Sequence, residues 1–505
     1  MDPVLEGITT ALSLRCLLAS LVGVWLGIIF GALPGLTAAM GVSLLIPLTF
    51  GMPAVEAFSA LIGMYVGAVY GGCIPAVLLG TPGTVASAAT ALEGPSLTAQ
   101  GKSLKALDMA TVASFFGGIF SAVALIVFAP MLAKAAMRFG PTEYFAVAVF
   151  GLTIVASLTE GQALKGFIAV LIGLFIATIG LDPVTADLRN TFGNVNLFSG
   201  IALVPVLIGL FALSQILVTL EDLFRGKCLT KDLKISKEGI TLKEIKDNGG
   251  NLLRSAVIGV GIGVVPGIGV SAATFVAYAE AKRYSKTPEL YGKGAIEGIA
   301  AAETATNAQC GGALIPMMTL GIPGDLITGI MLGALVLQGL TPGPLLFVEH
   351  PATVYGIFAA YVICCIFLLV FGLITVRMAG KIVHIPNGLL MPIVLTLCVI
   401  GSYAVNNSLF DLLIMAIFGI VGYFMHKCNF PQPPLLLAMI LAPIAETNFR
   451  RALTISQNDY TVFFTRPFSG IVLTISILLL LRPAFDMIRE HLKQKKTPAQ
   501  RPSQP

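Results

Sequence analysis

Charged side chains are scarce in this chain of 505 residues: Asp, Glu, Lys and Arg together make up 11%, and apolar types make up 56%. A soluble domain carries roughly 25% charged residues. The four histidines, His350, His384, His426 and His491, stand far apart. Neither H-E-x-x-H nor G-x-S-x-G occurs, so the signatures of a zinc protease and of a serine hydrolase are missing. No P-loop is complete either. Gly101-Lys102-Ser103 imitates the end of one, but Ser96 stands where its first glycine is required. The eight cysteines include no C-x-x-C pair, which argues against a zinc site or a disulfide framework. Most lie in apolar sequence, where a buried thiol packs as a small hydrophobe. The net charge of +5 is modest and its basic residues fall in loops, so nucleic acid is not an expected partner.

What fills the chain instead is apolar sequence of membrane-spanning length. Leu17–Leu33, Met109–Leu132, Val354–Thr375 and Phe468–Leu481 hold no acid and no base. A bilayer crossing needs about 20 such residues, and the shorter runs are marginal. The first apolar stretch has no basic segment before it and no clean small-residue cleavage site, so it reads as mature sequence. The expected fold is all-α, polytopic and embedded in membrane lipid.

The chain also repeats itself. Gly31-Ala-Leu-Pro34-Gly35-Leu-Thr37 returns as Gly263-Val-Val-Pro266-Gly267-Ile-Gly269, an offset of 266 − 34 = 232. Gly71-Gly72-Cys-Ile-Pro75 with Gly80-Thr81-Pro82-Gly83 returns as Gly312-Ala-Leu-Ile-Pro316 with Gly321-Ile322-Pro323-Gly324, an offset of 316 − 75 = 241. Proline removes a backbone donor and glycine permits a turn, so each Pro-Gly pair breaks a helix. Matched breaks in two hydrophobic halves mark the binding site of a secondary transporter. Glycine ridges, Gly23, Gly27, Gly31 and Gly35 against Gly259, Gly263 and Gly267, read first as helix-packing surfaces.

Counting crossings gives about eleven transmembrane helices in two inverted repeats, with re-entrant or broken helices at the Pro-Gly motifs. Residues 1–221 form repeat 1 and 251–450 form repeat 2. Residues 222–250 make a cytoplasmic linker, 451–484 an extra C-terminal helix, and 485–505 a basic cytoplasmic tail. Lysine and arginine mark the cytoplasmic side. They crowd the linker and the tail, whereas the first 14 residues hold none. The N-terminus is therefore expected outside and the C-terminus inside. Lys134 and Arg138 run against this scheme, since it places them outside.

The Pro-Gly segments contain no Arg or Lys. An anion site there would have to use helix N-termini, each worth about +0.5 of an elementary charge. Four helix starts are expected, after Pro34-Gly35, Pro82-Gly83, Pro266-Gly267 and Pro323-Gly324. The hydroxyls and amides of Thr37, Thr81, Thr84, Ser87, Ser271, Thr306, Asn307 and Thr319 would complete it. Glu303 and Asn307, four apart, share a helix face. An acid at membrane depth is a functional candidate by default. Glu303 would take up a proton or help to hold Na⁺, with Thr306 and Asn307 beside it; its plain alternative is a solvated helix end. Asp325 aligns with Thr84 (325 − 241 = 84), and both are capping residue types. A capping or cation role suits Asp325 better than contact with an anion.

With these motifs in place, the chain resembles the large membrane subunit of the tripartite tricarboxylate transporters over nearly its full length. The resemblance rests on Gly31 through Leu36, Gly80 through Gly83, Glu303 through Gly312 and Gly321 through Asp325. It implies a permease of the bacterial inner membrane, a small membrane subunit and a periplasmic solute-binding protein as partners, and uptake of citrate-like carboxylates. It implies drive by a Na⁺ or H⁺ gradient, no cofactor, and no resident metal beyond a coupling Na⁺. Carried onto this sequence, it falls on Pro34, Gly35, Thr81, Pro82, Gly83, Pro266, Gly267, Asn307, Pro323 and Gly324. Gly269 replaces the Thr37-like hydroxyl of the first motif, although Ser271 is close. An anion channel or a uniporter is the alternative, because inverted repeats with re-entrant breaks also build channels. A membrane-embedded enzyme is the more distant one.

Overall fold

The computed structural model describes residues 2–33, 35–157, 163–225, 238–382 and 387–496. The helices in chain order begin with α1 Pro3–Ala11, α2 Leu14–Ala32, α3 Ala38–Thr49, α4 Ala54–Gly71, α5 Cys73–Leu79, α6 Gly94–Ala99 and α7 Ser103–Ala136. They continue with α8 Pro141–Ser157, α9 Ala163–Ala177, α10 Leu203–Leu207, α11 Ser214–Phe224, α12 Leu242–Asp247, α13 Gly249–Val264 and α14 Val270–Tyr284. The rest are α15 Ile296–Leu320, α16 Leu326–Leu337, α17 Leu346–Glu349, α18 Pro351–Ile382, α19 Asn387–Asn406, α20 Leu409–Lys427, α21 Gln432–Ile455, α22 Val462–Thr465 and α23 Pro467–Lys496. The only sheet among the described residues is a hairpin pairing Gly180–Leu181 with Leu188–Arg189. The protein is thus an all-α polytopic membrane protein. Six helices among the described residues are long and apolar enough to cross a bilayer, and further shorter apolar helices accompany them. Helix α23 runs on through Lys496, well into the stretch expected to be a tail.

The chain divides into two compact units, and each draws on both halves of the sequence. The first comprises 1–138 and 191–429, the second 139–190 and 430–505. In the first unit the pair α19–α20 packs with α10, α11 and the π-helical turn Ile208–Leu213 between them. In the second unit the pair α8–α9 packs on α21. Each half of the sequence therefore lends one helix pair to the other half's last helix.

Within the first unit the glycine ridges explain the packing. A methyl group on Gly31 of α2 would lie 2.1 Å from the Ala68 carbonyl oxygen of α4. One on Gly263 of α13 would lie 2.6 Å from that of Gln309 on α15. These contacts correspond, since 263 − 232 = 31 and 309 − 241 = 68. Gly27 against Met64 and Gly259 against Ala305 repeat the relation one turn earlier. The two halves thus share backbone-to-backbone contacts as well as motifs. Large exposed apolar side chains, Leu14, Leu18, Val22 and Trp25, line an outer face of α2. In a bilayer such a face meets lipid, which asks for no polar partner.

The second unit holds an ionic network at its hairpin. Arg189 reaches Glu446 at 2.8 Å and Asp182 at 3.2 Å, and Arg450 reaches both acids at 2.7 and 3.0 Å. The backbone N–H groups of Thr185 and Val184 also donate to Asp182 and, with the two arginines, pull its carboxyl down to about 2.

Two expectations follow. Gly263→Ala should destabilise the protein by about 1–3 kcal/mol, as overpacking does. Gly261→Ala, two residues away with nothing within 4 Å of the new methyl, should be neutral or slightly stabilising. Thermal melting in detergent compares them. For Asp182, a folded pKa below the unfolded value of about 3.9 means its stabilisation is present above pH 4 and lost as pH falls towards 2. Asp182→Asn should remove that part of the acid sensitivity.

Candidate functional site

The Pro-Gly breaks come together in pairs inside the first unit. The carbonyl oxygen of Gly31 lies where a methyl on Gly83 would stand, at 2.2 Å, and that of Gly263 lies 2.6 Å from one on Gly324. Gly267 N–H donates to Gly324 O at 2.9 Å, and Gly83 N–H to Gly72 O at 3.2 Å. Gly35 and Gly267 take positive φ, +91° and +80°, which glycine adopts without strain. Gly80 and Gly321 end α5 and α15 in the left-handed conformation. In both halves, then, the first break sits against the second. Pro34 lies outside the described residues.

The four expected helix starts are not equivalent. Helix α3 begins after the first break, and its own Thr37 caps it by accepting from Met40 N–H at 3.1 Å. Helix α16 begins after the fourth, and Asp325 caps it by accepting from Thr328 N–H at 2.8 Å, in a reciprocal capping box. Helix α14 starts after Gly269 with no side-chain cap. No α-helix follows Pro82-Gly83. The chain makes only the short 3₁₀ turns Val85–Ser87 and Thr90–Leu92 there, and Thr84 caps nothing. The expectation of four helix dipoles on an anion is therefore corrected. One start is missing and two carry their own caps, of which Asp325 is acidic.

What the second break offers instead is hydroxyls. Thr81 Oγ1, Thr84 Oγ1 and Ser87 Oγ are buried and have no hydrogen-bond partner. Two of them overhang Gly72: a methyl there would meet Thr84 Oγ1 at 2.3 Å and Ser87 Oγ at 2.9 Å. Glycine at 72 lets these hydroxyls lie close against the backbone, where a side chain would displace them. A buried hydroxyl left unpaired costs about 1–3 kcal/mol, so several in one short turn point to a ligand. Pro82 is exposed beside them, whereas Pro266 and Pro323 are buried and serve the turn. Ser271 is half-buried in the first turn of α14.

The polar stretch of α15 points elsewhere. Glu303, Thr304, Thr306 and Asn307 are fully buried, which removes the plain reading of Glu303 as a solvated helix end. Glu303 accepts from Thr90 Oγ1 at 2.5 Å and from Ser114 Oγ at 3.3 Å. Thr306 Oγ1 donates to its own helix at Ala302 O, 2.8 Å, and lies 3.5 Å from Ala86 O. Thr319 likewise donates to Ile315 O at 2.7 Å. The Asn307 carbonyl accepts from Tyr361 at 3.3 Å and Ser121 at 3.4 Å, while both atoms of its side-chain amide lack a partner.

Asp325 is the opposite case. Beyond its capping bonds, its Oδ2 accepts from Tyr65 O–H at 2.5 Å and from Gln309 Nε2 at 3.2 Å. Every oxygen of Asp325 is thus engaged by the protein. Tyr65 aligns with Thr306 (306 − 241 = 65), so each half sends this position towards the other half's second break. That alignment was available in the sequence and would have singled out Tyr65. Glu93 gave no such signal. It is fully buried and accepts from Gly292, Gly294 and Ala295 N–H and from Tyr278 O–H, at 2.5 to 2.8 Å, and so ties down the approach to α15.

Tyr65→Phe should cost about 1.5–3 kcal/mol, the range for a hydrogen bond to a charged group. The loss in a Tyr65→Phe, Asp325→Asn double-mutant cycle should be clearly less than additive. Denaturation of the four proteins reads it.

Comparison with known proteins identifies the family. Residues 17–437 match the family model described as "Tripartite tricarboxylate transporter TctA family". An "uncharacterized 52.8 kDa protein in TAR-I ttuC' 3'region" of Agrobacterium vitis is 35% identical over 486 residues, 96% of either chain. A second protein of that organism, from the TAR-II ttuC' 3'region, is 36% identical over 233 residues, 46% of this chain and 96% of its own. No solved structure matches. The chain belongs to the tripartite tricarboxylate transporter TctA family, as the large membrane subunit of a three-part transport system.

Proposed function

We propose that this subunit carries citrate-like tricarboxylates or related carboxylates into a bacterial cell by alternating access, driven by a Na⁺ or H⁺ gradient. A periplasmic solute-binding protein delivers the substrate, and a small membrane subunit completes the permease in the inner membrane. The observation that carries this reading is the set of unpartnered hydroxyls, Thr81, Thr84 and Ser87, at the second break. A carboxylate accepts from hydroxyls in just the way these side chains leave open. The uncapped start of α14 adds backbone donors of the favourable sign. Gly35, Gly83, Gly267 and Gly324 shape the site through their backbone, with Pro82, Pro266 and Pro323 setting the turns. Ser271 adds a hydroxyl near α14. Asp325 caps α16 and stays out of contact with the anion.

Paired helix breaks in matching places of two repeats are the hallmark of carriers that bind substrate between their repeats, which favours a carrier over a channel. The test is labelled-citrate uptake into proteoliposomes containing both membrane subunits, with the binding protein outside. Accumulation above equilibrium that needs the binding protein and one ion gradient is expected. Downhill flux indifferent to either gradient would mean a channel or a uniporter. Thr84→Val and Ser87→Ala should each raise the half-saturating concentration about tenfold, the effect of roughly 1.4 kcal/mol. Gly83→Leu and Asn307→Ala should abolish uptake while the protein still inserts.

A further inference from the structure

Glu303 is a fully buried carboxylate answered by hydroxyls alone. No lysine, arginine or histidine pairs with it among the described residues. Buried charges are otherwise paired or coordinate a metal. A second observation lies on the same helix. Thr304 Oγ1 and the Asn307 side-chain amide are buried without any partner. At about 100° per residue, Asn307 sits roughly 40° from Glu303 around α15 and Thr304 about 100°, so Asn307 falls between the other two. The three polar side chains therefore share one wedge of the helix. Helix α7 covers it. Ser114 donates to Glu303, a methyl on Gly117 would stand 2.1 Å from Thr304 O, and Ser121 lies 3.4 Å from Asn307 O. Thr90 closes the Glu303 end.

We propose that this wedge is a binding site for a monovalent cation, Na⁺, held by the Glu303 carboxylate, Thr304 Oγ1 and Asn307 Oδ1 with the hydroxyls of Ser114 and Thr90. All its ligands are oxygens, which suits a hard cation. One carboxylate balances one positive charge, so the ion is monovalent. A proton on Glu303 would neutralise the acid but leave Thr304 and Asn307 as they are. A cation uses all three, and a water bound with it meets Asn307 Nδ2. The site deepens the carrier reading by naming its coupling ion, yet its existence is testable without transport.

The test is thermal unfolding of the full-length purified protein, free of substrate, in NaCl against choline chloride at equal ionic strength. A ligand that binds only the folded state raises Tm with its concentration. Wild type should show a saturable Na⁺-specific rise, and Glu303→Gln and Asn307→Ala should lose it. Thr304→Val keeps the shape without the acceptor and should weaken the apparent Na⁺ affinity several-fold. Equal Tm values for wild type in both salts, or a rise retained in Glu303→Gln and Asn307→Ala, would overturn the proposal. Should those two variants fail to fold, an unchanged affinity in Thr304→Val overturns it. Uptake that fails while the Na⁺ rise is intact counts against the carrier reading and spares the site. Proton-driven uptake without a Na⁺ rise does the reverse.

Discussion

Everything at the breaks depends on backbone meeting backbone. Where Gly31 and Gly263 face the carbonyls of Ala68 and Gln309, no side chain fits between the helices. The same two glycines then offer their own carbonyls to Gly83 and Gly324, so one close approach seats the next break. In lipid there is no hydrophobic drive between helices, and close packing of small residues takes its place. The contact also solves an accounting problem. A broken helix frees backbone groups that hydrocarbon cannot satisfy. Gly83 N–H and Gly267 N–H find Gly72 O and Gly324 O because the helices stand close enough.

On that shared frame the two halves carry different polar groups. At equivalent places stand Thr84, with a free hydroxyl, and Asp325, with a fully bonded carboxylate. Position 65 is a tyrosine reaching an acid, while its counterpart Thr306 meets only backbone carbonyls, Ala302 O of its own helix and Ala86 O of the first half. Helix α15 carries Glu303, Thr304 and Asn307, whereas α4 has Ile62, Gly63 and Val66 at the corresponding positions. The proposed anion and cation sites thus rest on positions at which the two halves of a shared frame carry different residues.

The fold was largely legible in the sequence because its signals are of the strong kind. Uncharged runs mark helices, and Pro-Gly pairs mark breaks, each through local chemistry. Gly31 and Gly263 could be read as packing residues from their four-residue spacing. The exchange of helix pairs between halves could not, because it depends on which apolar face meets which, and apolar faces look alike in sequence. The site was legible as a set of residue types and less so as an arrangement. Thr81, Thr84, Ser87 and Asn307 stood out as polar residues beside breaks, and all four bear unpartnered atoms. The absence of a helix after Gly83 was not visible, since Thr84-Val-Ala-Ser87 has no strong helix breaker. The roles of Asp325 and Glu93 depend on partners far away in the chain.

The central claim, that a carboxylate binds at the hydroxyls of the second break, is tested most directly by an experimental structure of the protein with citrate bound. The account predicts density for a carboxylate within hydrogen-bond distance of Thr84 Oγ1 and Ser87 Oγ. Citrate density elsewhere in the protein, with these hydroxyls still unpartnered, would contradict it.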